Sequence, residues 1–189
     1  ALDLIAASNG ERGVELATAE LADTTNMTDR LAALSVLASI PGTARETALH
    51  AFDLRYADEP LVLDKWFAIQ AMIPEDGTIE RIERLQQHPV FAITNPNRVR
   101  SLIGSFAMAN PTQFARPDGA GFRLLADAVQ TTDRTNPQLA ARLLTAFGSW
   151  RMWEPVRRSQ AKATLGEIAS RTGLSRDVAD ILARTLGDG

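Results

Sequence analysis

Histidine, cysteine and paired carboxylates are the usual carriers of chemistry, and this sequence of 189 residues offers few of them. Its two histidines, His50 and His88, are too far apart in sequence for metal-ligand spacing. Neither belongs to a His-Glu-x-x-His pair, and there is no glycine-rich phosphate loop and no Gly-x-Ser-x-Gly elbow. His50 lies on a helix beside Leu49 and Phe52, and His88 precedes Pro89 in a helix-ending turn; both read as structural or surface groups. Asp3, Asp29, Asp53, Asp58 and Asp64 are scattered, with no pair placed for shared acid–base work. Cysteine is absent, which removes thiol nucleophiles, thiolate zinc sites, iron–sulfur clusters and disulfides together. No catalytic residue, metal site or cofactor site is expected within this chain.

Arginine is the exception. Arg98 and Arg100 follow Asn95-Pro96, in the first turn of a helix, where the dipole favours acids by about 0.3–1 kcal/mol. On a helical wheel both flank the apolar stripe instead of joining the opposite face. Arg142 lies one turn into the helix after Asn136-Pro137, away from Leu139, Leu143 and Phe147. Two readings stay open. These are ordinary surface or salt-bridge arginines, or they form a basic wall that receives the carboxylates or carbonyls of a ligand.

Elements that could position such a wall are helical throughout. Val14, Leu16, Ala17 and Leu21 recur at helical spacing, and Asn26-Met27-Thr28-Asp29 opens a helix with Leu31, Leu34, Leu37 and Ala38 on one face. After Pro41-Gly42 a helix from Thr43 carries Ala48, Phe52 and Tyr56 at four-residue steps. Pro60 begins the return helix to Met72, with Trp66 and Phe67 as core, and Ile79, Ile82 and Leu85 stripe a shorter one. Asn95-Pro96, Asn110-Pro111 and Asn136-Pro137 each set a capping amide before a proline suited to a first helical turn. Arg116-Pro117-Asp118-Gly119-Ala120-Gly121 is the most loop-like stretch. Glu154-Pro155 begins the longest helix, with Arg157-Arg158 on its wet face, and Ser175 caps a last helix to Leu186.

No segment alternates apolar and polar residues for long, so the fold is predicted to be all-α. Helix pairs begin near residues 11, 43, 77, 120 and 154. That loose period of roughly 32 to 43 residues predicts an irregular, HEAT/armadillo-like superhelix of antiparallel pairs, because one hairpin cannot bury its own face. No glycine- or serine-rich linker interrupts it, so residues 1–189 are expected to form a single domain.

Twenty lysines and arginines stand against 23 acids, a net charge of -3 with no basic block, which leaves no electrostatic footprint for nucleic acid. There is neither a membrane-length apolar run nor a signal peptide, so no membrane partner and a cytoplasmic location are expected. The first residue is Ala1, not methionine; the chain is expected to be excised from a longer one, with residues 1–10 a remnant of a preceding helix.

Several of these strings together are similar to one family. The runs from Asn26 to Ser35, Asp64 to Ala68 and Asn95 to Gly104, then Asn110-Pro111, Phe114, Asp118-Gly119 with Gly121, Asn136-Pro137-Gln138 and Arg142-Leu143, occur in one order. They resemble the C-terminal domain of bacterial aminopeptidase N, from about residue 10 onward. The resemblance implies a parent zinc metallopeptidase of the thermolysin-like gluzincin group that removes single residues from peptide N-termini. Its zinc ligands lie in an earlier domain, so Zn belongs to the parent and not to this chain. It implies that this chain covers the active-site chamber and helps admit and position the peptide. Its partners would be the catalytic and other domains of the same polypeptide and the peptide substrate. The same resemblance carries Arg100 and Arg142, with Arg98, onto the substrate-channel wall. The alternative is a stand-alone helical-repeat adaptor that binds a protein or peptide in its concave groove.

Overall fold

Asparagine, glutamate and serine oxygens start six of the helices in the computed structural model, which describes residues 10–187. Asn26 accepts the Thr28 N–H at 2.8 Å, Asn95 that of Asn97 at 3.0 Å and Asn136 that of Leu139 at 3.0 Å. Each bond satisfies an N–H that the helix itself leaves without a partner, a contribution of about 1 kcal/mol. Among the described residues there is no strand, and the fold is all-α as predicted. The expected remnant at residues 1–10 lies outside the described residues, apart from Gly10. The described chain falls into two compact units divided between Ile73 and Pro74.

In the first unit α1 (Gly10–Asp23) packs on α2 (Met27–Ser39), and α2 packs on α3 (Thr43–Arg55). The return helix α4 (Pro60–Ala71) lies against both α2 and α3. Leu34, Leu37, Phe52, Leu63 and Phe67 form the core, and Trp66, 5% exposed, donates its Nε1–H to the Leu49 carbonyl at 2.8 Å. The buried face of α2 is broader than the expected one, since Ala33 and Val36 join it. Leu31 is half-buried, while Arg30 is buried and donates to the Thr24 carbonyl and to Tyr56 Oη. An arginine can occupy that face because its guanidinium finds oxygen acceptors there. Tyr56 lies just past the end of α3, with its ring 4.6 Å from Phe52.

The second unit begins with α5 (Thr78–Leu85), which packs on α9 (Ala120–Asp133). The helix that Asn95-Pro96 begins is a rod of three pieces: α6 (Pro96–Val99), a π turn (Arg100–Gly104) and α7 (Ser105–Ala109). Its backbone stays right-handed helical through both junctions. A short α8 (Pro111–Phe114) leads by the loop to α9, and α9 packs on α10 (Pro137–Leu144). Two 3-10 turns (Thr145–Phe147 and Trp150–Met152) then lead to α11 (Pro155–Ala169) and α12 (Arg176–Leu186). Helix α12 packs on α10 and on α11. Phe114 centres the core, with ring centroids 5.1 Å from Phe122, 5.4 Å from Phe147 and 6.1 Å from both Phe106 and Trp153. Edge-to-face contacts of this kind add about 0.5–1.5 kcal/mol each beyond area burial.

Candidate substrate-facing surface

All three candidate arginines lie in the second unit, on two packed segments. Asn95 fixes the start of the first by accepting the Asn97 and Arg98 N–H groups, which sets the direction of the residues that follow. Arg98 turns inward. It is 4% exposed, and its Nε donates to the Val90 carbonyl at 3.1 Å, fastening the stretch before the helix. Arg100 is exposed, and its Nη1 donates to Asn97 Oδ1 at 3.2 Å. It also opens the π turn, where the Ser105 N–H reaches back five residues to the Arg100 carbonyl. Such single π turns occur often where a helix carries function.

Gly104 closes that turn, and the Leu143 side chain of α10 lies beside it. A methyl group at Gly104 would stand 3.9 Å from Arg100 Cβ and 4.0 Å from Leu143 Cδ2. Leu143 therefore seats α10 against the rod one turn from Arg100, and Arg142 is its neighbour in sequence. Arg142 is exposed, and its guanidinium has no hydrogen bond or ion pair among the described residues. No carboxylate pairs with Arg100 there either. The structure thus places two guanidiniums with no ion pair among the described residues on neighbouring segments and keeps the third as a buried tie. Exposed guanidiniums of this sort can hold carbonyls or a carboxylate by charge-assisted hydrogen bonds.

The loop from Arg116 to Gly121 is tied down. Arg116 donates to both oxygens of Asp118, at 3.2 and 2.8 Å, and to the Asp76 carbonyl at 3.0 Å. Asp118 accepts the Ala120 N–H at 3.0 Å, and its carbonyl accepts Arg123 Nη1 at 2.8 Å. The Ala120 N–H, then the Arg116 guanidinium, hold the Asp118 carboxyl below the ordinary aspartate value. Glu154 is likewise held low, by the N–H groups of Arg157 and Val156 at the start of α11.

A zinc ion does not fit the described residues. His50 is exposed in the first unit, His88 accepts the Val90 N–H in the second, and no three His, Cys, Asp or Glu side chains gather to hold a metal. Among the described residues no helix is long and apolar enough to cross a membrane.

The all-α fold has counterparts in known proteins. The family described as "Domain of unknown function (DUF3458_C) ARM repeats" matches residues 1–187. The chain belongs to that family. Aminopeptidase N of Caulobacter vibrioides is 42% identical over 162 residues, covering 86% of this chain and 19% of that protein. Aminopeptidase N of Escherichia coli is 33% identical over 171 residues, 90% of this chain and 20% of the other. A crystal structure of Legionella pneumophila aminopeptidase A in complex with aspartic acid superposes with a TM-score of 0.91 at 32% identity. That likeness covers 98% of this chain and 22% of the Legionella chain. This member of the ARM-repeat family corresponds to the C-terminal region of aminopeptidase N and spans about a fifth of the length of those relatives.

Proposed function

We propose that this chain is the non-catalytic C-terminal domain of a zinc aminopeptidase that removes N-terminal residues from peptides. In this reading it covers the active-site chamber and helps admit and position the peptide. The observation that carries it is the likeness of nearly the whole chain to aminopeptidases of which it spans only about a fifth. Its partners are the catalytic and other domains of the same polypeptide and the peptide itself, in the cytoplasm. The zinc and its base act in the catalytic domain, so no bond is broken by residues of this chain.

Arg100 and Arg142 form the basic part of the chamber wall. Their guanidiniums donate to carbonyls or to the carboxylate of a short peptide beyond the scissile bond, and they gain strength where the chamber excludes water. Arg98 supports the wall from behind by fixing the stretch at Val90. Stacked helix pairs over the site limit entry to slender, unfolded peptides.

The test uses the full enzyme. Arg100→Ala or Arg142→Ala is expected to lower kcat/KM for peptides of several residues by about tenfold, the loss of one hydrogen bond to a charged group. Turnover of a single-residue chromogenic amide should be nearly unchanged. Equal losses on both substrates would remove these arginines from the wall.

A further inference from the structure

Arg157 and Arg158 read as one wet helix face in the sequence, but the structure separates them. Arg157 folds back, with Nε donating to the Ala115 carbonyl at 2.6 Å and Nη1 paired with Glu154 Oε1 at 3.0 Å. Arg158 stays exposed and, with Lys162 one turn further along α11, lines an open groove of about 500 Å³. Ser159, Pro155, Trp150 and Arg151 complete its walls, and among the described residues no carboxylate lines it.

Among the described residues no ion pair balances the positive charge in this groove. Neither Arg158 nor Lys162 has a hydrogen bond or ion pair from its side chain among the described residues. The adjacent acid, Glu154, is occupied by the Val156 and Arg157 N–H groups and by the Arg157 guanidinium. Arg151 is occupied too. It donates to the carbonyls of Thr185, Leu186 and Gly187 at the end of α12 and lies 4.7 Å over the Trp150 ring. Like charges four residues apart on a helix repel by about 0.2–0.5 kcal/mol. Arg158 also stands in the first turn of α11, where the dipole disfavours cations. All of this occurs on a chain whose net charge is -3.

Trp150 gives the groove a fixed back wall, because its Nε1 donates to the Thr185 carbonyl at 3.0 Å. The Cβ atoms of residues four apart are about 5–6 Å apart, so long side chains at the two positions can close on one anion from both sides. We propose that this groove is a binding site for a small oxyanion of the phosphate class. The Arg158 fork and the Lys162 ammonium hold it, and the Ser159 hydroxyl supplies a further donor. The proposal does not depend on the peptidase reading, since it rests on the groove's own charges.

The experiment is a titration of the full chain, followed by amide resonances in two-dimensional nitrogen–proton spectra at constant ionic strength. One arm uses inorganic phosphate and the other phosphoserine, which separates free phosphate from an esterified one; chloride is the control. Saturable shifts confined to residues 150–162 are expected in at least one phosphate arm. Arg158→Gln with Lys162→Gln should weaken that binding by about tenfold or more, the loss of two charge-assisted bonds. Lys162→Arg, which keeps the charge, should retain it. Both positions are exposed, so the variants should keep the helical circular-dichroism spectrum. Shifts that match those caused by chloride, or saturation unchanged in the double variant, would overturn the proposal.

Discussion

Gly121 and Phe114 touch backbone to backbone. A methyl group at Gly121 would stand 2.7 Å from the Phe114 Cα and 2.5 Å from the neighbouring Gln113 carbonyl oxygen. Positive φ is not the reason for this glycine: Gly42, Gly119 and Gly173 are the ones with positive φ. The missing side chain lets the first turn of α9 lie on the end of α8 and brings Phe122 to Phe114. Gly121→Ala is therefore expected to destabilise the fold by about 1–3 kcal/mol, since a backbone cannot give way as a side chain can. Gly166→Ala, inside α11 with nothing within 4 Å, should instead stabilise by about 0.5–1 kcal/mol. Urea midpoints of the two variants would check both signs; a neutral Gly121→Ala would contradict the close approach.

Asp118 predicts an acid dependence. Its folded carboxyl is held low by the Ala120 N–H and the Arg116 guanidinium, so its contribution is present above the unfolded value of about 3.9 and is lost as pH falls through the lower folded value. Asp118→Asn should be less stable than the parent at neutral pH, and the gap should close below about pH 4. The side chain is 50% exposed, so solvent screening keeps the effect below about 1 kcal/mol. Thermal midpoints between neutral and strongly acidic pH would measure it, and a gap that widens in acid would contradict the assignment.

Trp66 separates packing from hydrogen bonding in the first unit. Trp66→Phe keeps most of the ring but loses the bond to the Leu49 carbonyl, an expected cost of about 1 kcal/mol with some loss of packing added. Trp66→Ala should cost about 3–5 kcal/mol because the site is buried. Equal costs for the two variants in chemical denaturation would mean that the indole N–H, not the ring, holds α4 against α3.

Asn136 tests the asparagine starts. Asn136→Ala removes the acceptor for the Leu139 N–H and should cost about 1 kcal/mol, while Asn136→Ser or Asn136→Asp should recover most of it. A fall in stability that no capping residue rescues would point to a role outside the helix start.

Much of the fold was legible in the sequence because its signals are local. The five pair starts expected near residues 11, 43, 77, 120 and 154 appear as helices that open at Gly10, Thr43, Thr78, Ala120 and Pro155. Ser175 and the Asn-Pro pairs mark starts because the side chain that caps a helix is itself part of the sequence. The π turn at Arg100 was not legible. Val99, Leu102, Ile103 and Phe106 are fully buried and show an ordinary helical stripe, so nothing in their spacing signals the wider turn. Met108, at the end of α7, is 52% exposed although it follows this stripe. Arg30 was missed for a related reason. A charged residue within an apolar face reads as solvated until Tyr56 and the Thr24 carbonyl are seen to receive it.

The arginines divide most clearly between the two sources. Residue type and order determined that this chain is helical, poor in catalytic groups and similar to the C-terminal domain of aminopeptidase N. Hydrophobic period, capping and composition act over a few residues and can be read in order along the chain. The tertiary structure alone decided which guanidiniums are used internally and which remain available. Arg98 and Arg157 bond carbonyls and are part of the framework, whereas Arg100, Arg142 and Arg158 face outward. The physical reason is that a guanidinium's fate depends on which oxygen lies within reach. The partners here are backbone carbonyls from 8 to 42 residues away, and their positions exist only once the helices have packed.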